Sequence, residues 1–573
     1  MTDAAPASSA TTVAGAVVAL LESLGVRRAY GLTGGPIAPF CDALGRSRIQ
    51  ALHCRHESGA AFAALEDSLA SGELCAVFVT TGPGITNALT GLCAARSDGG
   101  RVLLISASTS AREIGRRAFQ ETSPATLPVE GIFRAGPIFH AAWRLDHSAQ
   151  LPAIAAEIAC GLSRPEGWVG HLTIPIASQT EHCGHVAARV VAARDDCDPA
   201  QVDACAALLD RCEYAIWAGF GARFAAAEIA ELASRTGAAV MCSPRAKGVF
   251  PEDHPQYLGV TGFGGHERVK EYLCEARPER ILVLGTRLGE LTSFWDPEFV
   301  PRGGFVHVDL DPSAAGAAYP EAETLAVRAE VRSFVRALLE RLTVRAGTPA
   351  WTRRAGANGI APRARGPVRP AALMAAVQRA IVESSDAIVL TEAGNAFAWG
   401  THALHFRTPG RYRTSTAWGA MGHASCGVIG AALASGGPAV ALVGDGAMLM
   451  QSELSTAVQY GIPAVWIVLN DGAYGMIEHG MRAQGLRPLE TQLPATDFAA
   501  HARALGAEGV RIDHESALDA SLDGIAARTR ARPIVVDVRI DPTEPAPFLR
   551  RVESLIRQTR HQPSNHPHEE NAS

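Results

Sequence analysis

The chain has 573 residues, 47% hydrophobic and 19% charged, with a net charge of -6. That length is too great for one core and predicts three or four domains of ordinary size, while the mild acidity gives no reason to expect nucleic acid or an acidic membrane as partner. No apolar run reaches membrane-spanning length, and Met1 to Thr12 lacks the basic start and apolar centre of a secretion signal, so a cytoplasmic protein with no membrane partner is expected.

Residues 1–10 read as a loose terminus. The first unit is expected over 11–185 and alternates helix and strand. Helix over 13–24 and strand over 28–32 lead to the turn Thr33-Gly34-Gly35-Pro36, and strand over 49–53 runs into Arg55-His56-Glu57, which opens an alanine-rich helix. Strand over 75–80, the turn Thr81-Gly82-Pro83-Gly84, helix over 85–96 and strands over 101–106 and 171–175 follow. Such alternation builds a parallel sheet. Taken alone, Glu57 reads as a first-turn carboxylate favoured by the helix dipole. The twelve cysteines form no CxxC pair, which argues against a zinc site, and His182-Cys183-Gly184-His185 reads as a polar connector.

A second α/β unit is expected over 197–342. Its strand over 214–217 ends in Ala218-Gly219-Phe220-Gly221 and its strand over 305–308 ends in Asp309-Leu310-Asp311-Pro312; a lone GxG is weak evidence for a nucleotide. Residues 343–370, rich in Arg, Gly, Ala and Pro, read as a linker.

The third unit, over 371–545, starts with helix over 371–383 and a strand that ends in Glu392-Ala393-Gly394-Asn395. Trp418-Gly419-Ala420-Met421-Gly422 comes next. An apolar run over 439–443 then ends in Gly444-Asp445-Gly446, helix follows over 451–460, and a second apolar run over 464–469 ends in Asn470-Asp471-Gly472. As parallel neighbours these strands bring Asp445 and Asp471 together at their carboxyl ends, where ligands collect, and the glycines let a bulky anion approach the backbone. Magnesium takes one or two carboxylates plus phosphate oxygens and water. Asp445, a side-chain oxygen from Asp471 or Asn470 and the carbonyls beyond them supply such a set. The polar stretch over 551–573 reads as a disordered tail.

This strand, helix, strand unit resembles the diphosphate-binding motif of thiamine diphosphate enzymes, and Gln451-Ser452-Glu453-Leu454-Ser455-Thr456-Ala457 with Gly461-Ile462-Pro463 is similar to the acetolactate synthase branch. The order Arg-His-Glu, helix, strand, Thr-Gly-Pro-Gly-x-x-Asn likewise resembles the family's pyrimidine-binding domain. The resemblance implies three doubly wound parallel α/β domains (pyrimidine-binding, central and diphosphate-binding) with thiamine diphosphate and Mg2+ as cofactors. It implies Glu57 as the activating acid at N1′ of the aminopyrimidine, with Gly34, Thr81, Pro83 and Asn87 around it. Met421 becomes the prop of the cofactor ring beside Gly394, Asn395 and Gly419. Gly444, Asp445, Gly446, Ala447, Asp471, Ala473, Tyr474, Gly475 and Met476 fall at the diphosphate, with Asp445, Asp471 and Ala473 on the metal. The family's usual second ligand is an asparagine one residue further on; here Asp471 takes that place. Ala118-Phe119-Gln120-Glu121 matches a segment bordering the substrate pocket, which makes Phe119 and Gln120 its wall, and Gly480 stands where the family has a tryptophan, which implies a larger acceptor pocket. The synthases carry FAD in the central domain. His307-Val308-Asp309 resembles their adenine-side strand, whereas Gly285-Thr286-Arg287-Leu288-Gly289-Glu290 departs from their Arg-Phe-Asp-Asp-Arg, so an FAD domain and an empty scaffold both stay open.

The activity implied is a carboligase that decarboxylates a pyruvate-like 2-oxo acid and transfers the acyl anion to a second carbonyl. One alternative is a 2-oxo acid decarboxylase releasing an aldehyde, although the paired histidines of that branch are not evident before Gly444. Another is a non-catalytic binding subunit, against which the joint presence of Glu57, Met421 and Asp445 speaks. Glu57 and the metal stretch lie on different domains and in the family come from different subunits, which implies a homodimer or homotetramer.

Overall fold

The computed structural model describes residues 11–127, 129–191, 197–343 and 363–560. Continuous apolar runs such as Ala439–Gly444 and Ala464–Asn470 form strands buried along their length, and helices on both faces of a parallel sheet are what cover such strands. Among the described residues the result is three six-stranded sheets, parallel throughout, so the α/β, doubly wound reading holds. A short antiparallel pair, Thr11–Thr12 with His182–Cys183, closes the N-terminal unit and takes the histidine-cysteine stretch into a structural role.

In each sheet the chain winds outward one way, returns and winds the other way. The switch lies between Arg28–Gly31 and Cys75–Val79 in the first sheet, between Tyr214–Ala218 and Arg280–Leu284 in the second, and between Ile388–Thr391 and Ala439–Gly444 in the third. The crevice beyond the carboxyl ends of such strands is where ligands settle.

The first and third units pack through helix Glu57–Ser71 against helix His423–Ser435. Small residues permit the approach: a Cβ on Gly430 would lie 1.9 Å from the Ala63 carbonyl oxygen, and one on Gly427 2.7 Å from Glu66 Cγ. Across this contact His423 Nε2 lies 2.7 Å from Glu66 Oε1, both buried.

Two stretches differ from expectation. The disordered tail predicted from Arg551 is a helix, Leu549–Arg560, as far as the described chain extends. Val552 and Ile556, four residues apart and so on one helical face, pack with Phe263, Phe294 and Phe397, and Arg551 pairs with Glu290. Residues 561–573 lie outside the described residues, as do 344–362 of the expected linker. The end of that linker is tied down: Val368 bridges to Ile540, and Glu515 accepts from Arg363 N at 2.6 Å and Arg369 Nε at 2.7 Å. The Arg369 guanidinium holds the Glu515 carboxyl down to about 2. A carboxylate held low contributes stability that is full above its ordinary value of 4.5 and lost as pH falls through the lower one. Glu515→Gln should therefore cost about 1–3 kcal/mol at pH 7, and the difference in thermal midpoint between variant and wild type should shrink as pH falls from 4.5 towards 2.

Candidate functional site

At the first switch point Glu57 is the opening residue of its helix and is 7% exposed. Its Oε2 accepts from Asn87 Nδ2 at 3.0 Å, and a Cβ on Gly84 would stand 3.5 Å from its Oε1. Asn87 sits on helix Pro83–Asp98, whose start is set by Gly82 at φ 50°, a conformation that suits glycine. Thr81 is buried and donates to Gln120 Oε1 at 3.1 Å. Gln120 itself has φ 53°. Gly34 faces Thr80: a Cβ there would fall 2.8 Å from Thr80 Oγ1. Gly34, Glu57, Thr81, Pro83, Asn87 and Gln120 thus belong to one rim. Phe119, beside them, is 90% exposed and walls nothing within one chain.

At the third switch point Gly444 pairs with Leu469 across parallel strands, which sets Asp445 and Asp471 side by side beyond the strand ends. Asp445 opens the short helix Asp445–Leu449; its Oδ1 accepts from Gly446 N and its Oδ2 from Gly472 N, each at 2.8 Å. Burial, and behind it the Asp445 carboxylate, push the Asp471 carboxyl up to about 7. Gly475 leaves room for that carboxyl, since a Cβ would come within 2.2 Å of Asp471 Oδ2, and the same Cβ position lies 3.2 Å from Asn395 Nδ2. Asn395 Oδ1 is buried without a partner. The Tyr474 ring closes over Gly446, 2.5 Å from where its Cβ would be, and Ala447 is buried beneath. Ala473 N lies 3.3 Å from Asp471 Oδ1. Of the two residues left open, Asn470 turns away: its Nδ2 donates to Asp537 Oδ1 at 2.8 Å. Two crowded carboxylates, an orphaned amide oxygen and backbone oxygens beyond the strand form a hard-oxygen set of the kind a divalent cation takes.

Among the described residues no hydrogen bond or ion pair joins Glu57 to Asp445 or Asp471; the Glu57 turn is held instead by Glu453, fully buried, which accepts from Arg55 N at 3.1 Å and His56 N at 3.2 Å. Gly59 gives it room, a Cβ there falling 2.4 Å from Glu453 Oε1. Sequence reasoning passed over Glu453, although an acid in the first turn of Glu453–Tyr460 was visible.

A cavity of about 740 Å³ opens at the junction of the three units. Gly394, Gly419 and Met476 line it from the third unit, and Phe220, Arg223, Thr286 and Asp309 from the second. Gly219 and Gly221 serve the close approach of Gly285, whose carbonyl oxygen would be 2.2 Å from a Gly219 Cβ. Arg223 is stacked over Phe220 and Phe224 at 4.2 and 4.3 Å. Burial, helped by Arg413 and Arg245, lowers it to about 9, still cationic at neutral pH. No carboxylate among the described residues pairs with it. Met421 is 40% exposed, and Gly480 lies on helix Gly475–Ala483 with nothing within 4 Å of its Cβ position.

Among the described residues no helix is long and apolar enough to cross a membrane. Comparison with known families matches residues 11–127 to the N-terminal TPP binding domain of thiamine pyrophosphate enzymes, 202–338 to their central domain and 392–538 to their C-terminal TPP binding domain. The chain is 30% identical to a Mycobacterium tuberculosis protein named "putative acetolactate synthase large subunit", over 93% of this chain and 98% of that one. It is 27% identical to the acetolactate synthase isozyme 1 large subunit of Escherichia coli, over 92% and 94%, and 29% identical to a "probable 2-ketoarginine decarboxylase" of Pseudomonas aeruginosa, over 86% and 88%. With three domain matches in the family's order, and a glutamate and a carboxylate pair at the switch points of the outer two, this chain belongs to the thiamine pyrophosphate enzymes.

Proposed function

We propose that the protein is a thiamine diphosphate- and Mg2+-dependent carboligase, which decarboxylates a pyruvate-like 2-oxo acid and passes the acyl unit to a second carbonyl compound. The observation that carries the cofactor reading is the carboxylate pair Asp445 and Asp471 with the orphaned Asn395 oxygen at one switch point. Thiamine diphosphate, when bound, supplies the carbon nucleophile and the electron sink for decarboxylation. The chain's tasks are narrower. Asp445, Asp471 and the Ala473 carbonyl hold the cation and through it the diphosphate; Glu57, positioned by Asn87, shares a proton with the pyrimidine; Met421 supports the ring.

A second copy completes the site. Within one chain the Glu57 rim faces Glu453, while Met421, Leu449, Met450, Tyr474 and Ile477 around the carboxylate pair remain at least 39% exposed, an apolar face that a partner's N-terminal unit would cover. A homodimer or a tetramer built from it follows. The central cavity is proposed to take a nucleotide cofactor such as FAD, its diphosphate beside the uncompensated Arg223 and a ribose at Asp309. All twelve cysteines are free thiols, which supports a reducing, cytoplasmic setting.

The space at Gly480 favours a second substrate over simple protonation. Gly480→Trp should cut turnover with bulky acceptors by about 10–200-fold while leaving thiamine diphosphate binding intact, read as product ratios with mixed acceptors. The likeness to a protein named as a decarboxylase keeps aldehyde release as the second reading. Purified protein with the cofactor, Mg2+ and mixed 2-oxo acids, analysed by mass spectrometry, separates them: mixed condensation products are expected, and aldehyde alone overturns carboligation. Flavin absorbance of the same preparation tests FAD.

A further inference from the structure

The cavity and the residues assigned to thiamine diphosphate share a wall. Ser415, Trp418 and Gly419 line the cavity, and the chain continues directly through Ala420 to Met421 and Gly422. The ends of this strap are fixed on the N-terminal unit. Upstream, buried Arg413 donates to the Leu69 carbonyl at 3.0 Å; downstream, buried His423 meets Glu66 at 2.7 Å. Its middle is held lightly. Gly419 N donates to Ser415 Oγ at 3.2 Å, Trp418 is 48% exposed, and Met421 is 40% exposed. Gly419 at φ 62° and Gly422 at φ 97° bracket Ala420 and Met421. Positive φ at both positions makes them joints that other residues would strain, and a few such residues suffice to absorb a backbone shift.

We infer that the strap from Ser415 to Gly422 couples the cavity to the thiamine diphosphate site: a nucleoside diphosphate seated beside Arg223 and against Trp418 fixes the strap, and with it the presentation of Met421. Trp418 is then a positioning residue. The geometry supports this coupling because Trp418, which lines the cavity, is the strap's one large side chain on that side, and Met421 is its one large side chain beyond the Gly419 joint. On this inference whichever ligand arrives first fixes the strap, and the second arrives at lower entropic cost. The coupling is reciprocal: the factor by which the nucleotide tightens thiamine diphosphate equals the factor by which thiamine diphosphate tightens the nucleotide.

This inference rests on the nucleotide reading of the cavity, and one set of titrations separates the two. Calorimetry on the whole protein, with Mg2+ present, gives the Kd of thiamine diphosphate without and with saturating ADP, then with FAD, and the Kd of each nucleotide without and with thiamine diphosphate. The expected result is a mutual tightening of about 5-fold or more. In Trp418→Ala the factor should fall to about 1, whatever happens to the separate affinities, and Trp418→Phe should keep part of it because a ring still meets the ligand. Nucleotide binding that leaves the thiamine diphosphate Kd unchanged overturns the coupling alone. A factor that survives Trp418→Ala removes Trp418 from its role. Failure of both ADP and FAD to bind overturns the coupling together with the nucleotide reading.

Discussion

Glu57→Gln should leave thiamine diphosphate bound and lower kcat by about 10²–10⁴-fold, the range spanned by a positioned proton-transfer group. The substitution is close to isosteric, so the helix start and the hydrogen bond received from Asn87 Nδ2 at 3.0 Å can persist through the retained amide oxygen. What is lost is a group able to hold a proton in one state and release it in another. The proposed site anchors the cofactor mainly at its far end, at Asp445 and Asp471, so the loss should appear in kcat with Kd for the cofactor changed little. The direct measurement is proton exchange at the cofactor's reactive carbon in the bound complex, which should slow in parallel with turnover. Exchange at the wild-type rate would remove Glu57 from its assigned role, and loss of binding would make it a structural residue of the rim.

Much of this arrangement is legible in the amino-acid sequence. Apolar runs ending in glycine-flanked acids announce buried parallel strands with ligands at their carboxyl ends, and the pairing of Gly444 with Leu469 puts Asp445 and Asp471 where that pattern requires. Other features had no local signal. Whether Asn470 or Asp471 faces the ligand depends on Asp537, 67 residues along, which engages the Asn470 amide from the neighbouring strand. Glu453 looked like an ordinary first-turn acid because its partners, the Arg55 and His56 amides, lie nearly 400 residues away. The C-terminal helix was hidden by composition: mostly polar, it docks through the single stripe that includes Val552 and Ile556, and its arginines find Glu267 and Glu290 only once the central unit is folded. The arginine cluster beside the central cavity was equally invisible, because Arg223, Arg245 and Arg413 gather around Phe220 from separate segments.

Asp445→Asn should abolish the Mg2+-dependent stabilisation by thiamine diphosphate. A ligand at 100 times its Kd adds about 2.7 kcal/mol to the folded state; if the variant weakens binding about 100-fold, the same concentration adds only about 0.4 kcal/mol. The carboxylate does two things that an amide cannot do together. Its two oxygens accept from Gly446 N and Gly472 N, each at 2.8 Å, whereas a carboxamide offers one oxygen and turns an NH2 group towards the other amide. It also contributes the negative charge that draws a cation to the strand ends. Asp471→Asn is the informative companion, because it keeps a side-chain oxygen while removing the carboxylate that burial and Asp445 push up to about 7. It should retain most of the cofactor-dependent shift in thermal midpoint, in a protein whose far-ultraviolet spectrum matches wild type. A full shift in Asp445→Asn would break the proposed link between the carboxylate pair and the diphosphate, and with it the proposed orientation of the cofactor across a subunit contact.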